Sequence, residues 1–122
     1  MLAQKRYSCP CCGFDTLEEL NVFDDCFLCY WEDDGQGDHG ADEPNYGVNG
    51  DMSLTEARTN FLDHGHKYPL DGTALPFAIK YPTRERRDWV RYALSVRKGD
   101  EPLDKALFES LRIADEFTRE LE

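Results

Sequence analysis

Two cysteine pairs of identical spacing constrain this chain more than anything else in it. They are Cys9-Pro10-Cys11-Cys12 and, after thirteen intervening residues, Cys26-Phe27-Leu28-Cys29. A C-x2-C pair turns two thiolates toward one side of a tight loop, and two such loops facing each other complete a tetrahedron of sulfur around Zn²⁺. The spacing predicts one structural zinc ion held by Cys9, Cys12, Cys26 and Cys29. Gly13 follows the first pair with the backbone freedom such a turn needs; Tyr30 stands at the same place after the second and meets that need less easily. Cys11 is left over, a bystander to a filled tetrahedron or, alternatively, a reactive thiol. The rival readings each require something else. A redox C-x-x-C belongs between a strand and a helix, and a disulfide framework belongs to a secreted chain with an even cysteine count.

Length and charge narrow what surrounds that centre. At 122 residues the chain suits one compact domain or a small metal module joined to a helical part. We expect a zinc-ribbon module with an acidic loop over residues 1–50 and helices packed on it over residues 51–122. No apolar leader follows Met1 and no apolar run is long enough to span a bilayer, so a cytoplasmic protein with reduced thiols is expected. From Tyr7 to Ala57 there are thirteen Asp or Glu and no Lys or Arg, whereas Arg58 to Glu122 carries twelve acids and twelve bases. The whole net charge of −11 therefore lies in the first half. Four thiolates around zinc add to it. Such a field repels phosphate backbones and favours a basic protein partner, unless it serves only as a solvated face.

The pattern along the chain predicts an α+β fold: a zinc ribbon followed by about three helices. Phe14 to Leu17 and Leu20 to Phe23 have strand-like spacing, so a short β-hairpin is expected to join the two cysteine knuckles. Residues 31–49 are rich in Gly, Asp and Pro and read as a long loop. Ser53-Leu54-Thr55-Glu56 has the form of a capping box, with Leu54, Ala57, Phe61 and Leu62 on or near one face and Gly65 as the stop. His66 to Pro82 reads as an extended connector. A second helix is expected from Thr83 to Lys98, with Trp89, Ala93 and Val96 inward and Gly99 as terminator. A third, capped by Asp100, would carry the apolar stripe Leu103, Leu107, Leu111, Ala114, Phe117 and Leu121.

Tyr7-Ser8-Cys9-Pro10-Cys11-Cys12-Gly13, then Cys26 through Asp34, then Asn49 and Ser53 through Phe61, resemble the bacterial CPCC cysteine-rich family. The likeness covers the first half of the chain. Its second knuckle departs from the family's frequent C-P-x-C by lacking the proline. The resemblance implies a small bacterial metal-binding protein and assigns no activity.

Several residue groups remain as candidates for function. Glu32, Asp33, Asp34, Asp38, Asp42 and Glu43 lie on the long loop and form a potential partner-binding surface; the competing role for the loop is structural, with Arg58 and Asn60 holding it by hydrogen bonds. The loop lacks EF-hand spacing, which argues against calcium. His64 and His66 flank Gly65 as a candidate second metal pair or as helix-end histidines. Arg84, Arg87, Arg91 and Lys98 share one helical face and are read as pairing with the acidic half rather than with phosphates. No nucleophile elbow or phosphate-binding loop is present, so no enzyme is expected. The function these features favour is a cytoplasmic zinc-binding interaction protein, in its sharpest form an immunity protein or antitoxin for a basic toxin. The alternatives are a zinc-ribbon regulator contacting nucleic acid or transcription machinery, and a metal-handling or thiol enzyme.

Overall fold

The computed structural model describes residues 5–71 and 74–120. The chain separates into two compact units, Met1–Pro69 and Leu70–Glu122. The first unit ends at Pro69 rather than near residue 50, and takes the first long helix with it.

In the first unit, strand β1 (Tyr7–Ser8) pairs antiparallel with β2 (Asp15–Leu17). The hairpin thus encloses the first cysteine knuckle instead of joining the two knuckles. The register shifts between Tyr7 and Ser8, whose partners are Leu17 and Asp15. A regular strand alternates inward and outward side chains; the irregularity lets both Thr16 and Leu17 be buried. The second expected strand is absent. Residues 20–23 form an irregular loop with left-handed backbone at Asn21 and Phe23, both at φ 60°. Around the second knuckle, an isolated bridge pairs Asp25 with Glu32.

Helix α1 (Leu54–His64) starts at Ser53, whose hydroxyl accepts from the Glu56 backbone N–H at 3.0 Å. It stops at Gly65, φ 86°, where the glycine N–H bonds the Phe61 carbonyl. Leu54, Ala57 and Phe61 are buried with Phe14, Leu17, Leu28, Trp31 and the cysteines, while Leu62 is exposed. The acidic loop lies on the start of this helix: Thr55 N–H donates to the Ala41 carbonyl at 3.0 Å, and its hydroxyl to Asp42 Oδ1 at 2.5 Å. A two-stranded pair this short has little stability of its own, so the helix and the cysteine centre form the core.

The second unit contains a single turn, α2 (Phe77–Lys80), within the segment expected to be extended, then α3 (Arg84–Arg97) and α4 (Lys105–Glu120). Thr83 caps α3 by accepting from Arg86 N–H, and Gly99, φ 81°, ends it. Asp100 belongs to that C-terminal turn, donating to the Ser95 carbonyl; Asp104 is the cap of α4, accepting from Leu107 N–H at 3.1 Å. Tyr92 fixes the connection, its hydroxyl accepting from Asp104 N–H at 2.8 Å.

Helices α3 and α4 pack on each other, but only the middle of the stripe predicted for α4, Leu111 and Ala114, is half-buried. Leu103, Leu107 and Phe117 are exposed, and the buried residues of α4 are Phe108 and Asp115; Leu121 lies outside the described residues. Phe108 and Asp115 are seven apart, close to two full turns, and so share a face. Phe108 meets Trp89 edge-on at 5.7 Å, and Asp115 meets the buried Arg86 at 3.9 Å and Arg119 at 3.1 Å. Arg86 also lies over the Trp89 ring. Three of the arginines read as pairing with the acidic half have partners within their own unit: Arg84 with Glu85, Arg91 with Asp88, and Arg87 with the Pro82 carbonyl.

Burial pushes the Asp115 carboxyl upward, with Arg86 and Arg119 opposing. Asp115→Ala should cost about 3–5 kcal/mol, because it removes the carboxylate that faces a buried guanidinium, whereas Arg84→Ala or Arg91→Ala should change stability by at most about 1 kcal/mol. Urea unfolding of the three variants checks the ranking.

Candidate metal centre

The two knuckles repeat one backbone solution. In the first, Gly13 N–H donates to the Cys9 carbonyl at 2.8 Å and Cys9 N–H to the Phe14 carbonyl at 2.9 Å. In the second, Tyr30 N–H donates to the Cys26 carbonyl at 2.6 Å and Cys26 N–H to the Trp31 carbonyl at 2.9 Å. Both closures need a left-handed residue after the second cysteine, supplied by Gly13 at φ 81° and by Tyr30 at φ 72°. For tyrosine that backbone costs about 1–2 kcal/mol. Ring contacts hold it in place: Phe27 edge-on at 6.5 Å and Tyr68 at 6.4 Å.

The knuckles bring Cys9, Cys12, Cys26 and Cys29 together, all buried, with their sulfurs within 4.8 Å of one another. The close pairs cross between knuckles, Cys9 to Cys29 at 3.6 Å and Cys12 to Cys26 at 3.7 Å. A disulfide bond is about 2.05 Å long; these cysteines are thiols. Tetrahedral coordination with metal–sulfur bonds of ~2.3 Å sets neighbouring sulfurs roughly 3.8 Å apart, so the set fits a metal ion. Cys11 is also buried, but lies outside the four-sulfur set. It is part of the packing rather than of the surface.

Charge at the centre is managed by residues that spacing did not single out. The Thr16 hydroxyl donates to Cys26 Sγ at 2.9 Å. Burial pushes the Cys26 thiol up, but hydrogen bonds with Cys12, Cys29, Cys9 and Thr16 outweigh it and hold the group well below the ordinary thiol range. Cys9, Cys12 and Cys29 are pushed well above that range, foremost by burial. Lys67 is buried beside them; burial lowers its pKa, while Glu32, Cys29, Asp25 and Cys11 favour its charge. Its N–H donates to the Cys29 carbonyl at 2.8 Å and its ammonium to Asn49 Oδ1 at 2.9 Å. Asn49 in turn joins both backbone groups of Glu32 and the Asp34 carboxylate.

The six acids of the candidate partner surface separate into two groups. Asp33 is buried, accepting from Asn21 N–H and Gly35 N–H, and Asp34 accepts from Gln36, Asn45 and Asn49. Burial raises the Asp34 carboxyl, yet those bonds bring it below its ordinary value. These two acids shape the loop. Asp38, Asp42 and Glu43 are exposed, while Glu32 is half-buried at the bridge to Asp25. Arg58 joins loop to knuckle, donating to the Pro10 carbonyl at 2.9 Å and to Asp38 at 2.8 Å. Asn60 holds the Lys67 carbonyl at 2.7 Å rather than the loop.

The His64 and His66 rings meet at 4.7 Å, tilted by 58°, and close the turn after α1 through the Tyr68 carbonyl and N–H respectively. Among the described residues, the four cysteines alone form a group of three or more donors able to hold a metal.

The description Cysteine-rich CPCC matches residues 7–69. The chain belongs to the cysteine-rich CPCC family. The match ends at the residue where the first unit ends, so the CPCC region takes in Lys67 and the turn after α1, beyond the Phe61 limit of the sequence resemblance. No curated protein and no solved structure matches the chain.

Serine at Cys9, Cys12, Cys26 or Cys29 should abolish metal loading and unfold the CPCC unit, since metal binding is worth roughly 10 kcal/mol or more to so small a fold. Cys11→Ser should retain the ion; native mass spectrometry reads both outcomes. Burial favours the protonated forms of Cys9, Cys12 and Cys29, while hydrogen bonds favour the Cys26 thiolate. A divalent ion must displace those protons, so affinity should fall as pH falls. Calorimetry in buffers of different ionisation enthalpy should show net proton release on loading.

Proposed function

We propose that this CPCC protein is a zinc-stabilised interaction protein that uses the acidic surface of its first unit to bind a basic protein. The observation that carries the metal half of this reading is the burial of all four cysteines. Catalytic zinc keeps a position open to water, whereas a site closed by four thiolates does structural work. Sulfur-only tetrahedral donors also select zinc over harder cations. The partner half rests on the absence of Lys and Arg from Tyr7 to Ala57 and on the exposed acids Asp38, Asp42 and Glu43. Asp38 and Asp42 are held in place by Arg58 and Thr55, so their charge is presented in a fixed geometry. Such a surface accelerates encounter with a basic protein and repels nucleic acid. An immunity protein that neutralises a basic toxin is the most specific form of the proposal, with the cytoplasm as its compartment.

Capture of the partner from the native host, followed by binding kinetics, tests it. Association should slow as salt rises, and the variant Asp38→Asn/Asp42→Asn/Glu43→Gln should associate about tenfold more slowly at low salt with its metal content unchanged. An acidic partner, or an unchanged on-rate in the variant, would sink the proposal. Asp33 and Asp34 stay out of this test because their loss deforms the loop.

A further inference from the structure

The loop that replaces the expected second strand exposes three apolar side chains within four residues: Leu20 at 46%, Val22 at 52% and Phe23 at 59%. Disorder does not put them there. Glu18 N–H donates to Asp24 Oδ2 and Asn21 N–H to Asp33 Oδ2, each at 2.7 Å. Phe23 N–H donates to the Asp33 carbonyl and Asp33 N–H to the Asp24 carbonyl, each at 3.0 Å. Two buried or half-buried aspartates thus fix the loop from beneath. The backbone is left-handed at Asn21, which tolerates it, and at Phe23, which does not without a cost of about 1–2 kcal/mol. Strain and solvent-exposed apolar area are both unfavourable in the isolated chain, and their coincidence on a pinned loop marks a recognition element.

We propose that Leu20, Val22 and Phe23 form the apolar contact point of the first unit, entering an apolar pocket rimmed by Lys or Arg on a protein partner. The rim of the loop decides the occupant. Asp15, Glu18 and Glu19 are exposed around it, and the nearest base in sequence, Arg6, is largely buried and paired with Glu18 at 3.6 Å. A second copy, nucleic acid and an anionic bilayer would each meet this rim with like charge. A basic-rimmed pocket matches both components, with apolar anchoring at the centre and opposite charge at the edge. The proposal rests on the basic-partner reading above but assigns the contact to a different surface.

Selection of a displayed random-peptide library on the metal-loaded full chain tests it. Enriched peptides should combine an aromatic or long aliphatic residue with flanking Arg or Lys. They should bind Val22→Ser/Phe23→Ser at least about tenfold more weakly, with metal content and melting temperature as in the parent. Leu20→Ser serves the same purpose should the double variant lose its metal. Basic peptides that bind these variants as they bind the parent, and lose affinity instead for Asp38→Asn/Asp42→Asn/Glu43→Gln, would overturn this proposal and leave the basic-partner reading intact. Enrichment of acidic peptides, or of none, would overturn both. A concentration-dependent dimer in sedimentation, lost in Val22→Ser/Phe23→Ser, would make the occupant a second copy and overturn this proposal alone.

Discussion

Four sulfur atoms confined within 4.8 Å of one another cannot all be ionised unless a cation sits among them, because like charges at that spacing in a buried site repel strongly. Everything in the first unit is arranged around that constraint. Its strands are too short to stand alone, its long loop has no regular structure, and its single helix contributes one apolar face. What unites them is the pair of knuckles, each closed by the same two backbone hydrogen bonds. A left-handed tyrosine is tolerated in the second knuckle because the closure it completes is shared by the whole unit.

The charge of a metal tetrathiolate does not end at its ligands. Thr16 reaches Cys26 only because the register irregularity in β2 turns two consecutive residues inward. Lys67 places a buried cation near Cys29 and Cys11, and its other contact, Asn49, is the residue that secures Glu32 and Asp34. Centre and acidic loop therefore share one polar network. The second unit has an ionic core of its own: Arg86, Asp115 and Arg119 replace part of the hydrophobic contact that an α-hairpin would ordinarily make.

Features set by local chemistry were legible in the sequence. The cysteine spacing, the Ser53 cap, and the Gly65 and Gly99 stops each act over a few residues. Features set by distant partners were not. Leu20 to Phe23 alternate like a strand, yet their backbone is dictated by Asp24 and, ten residues beyond Phe23, by Asp33. The leucines of α4 form a convincing apolar stripe, but the partner helix offers Trp89 and Arg86, which draw Phe108 and Asp115 inward instead. Asp33 and Asp34 read as surface charge because sequence cannot show the amides that surround them. Thr16 and Lys67 had no motif to announce them.

Arg58 occupies a position whose importance is easily missed, since its guanidinium is partly exposed and its ion pair with Asp38 is a surface pair. Its Nε hydrogen bond goes to the carbonyl of Pro10, the residue between Cys9 and Cys11. The same side chain thus grips the first knuckle with one edge and the acidic loop with the other. The backbone of the first knuckle and the exposed carboxylate of the acidic loop are thereby anchored to one helical side chain.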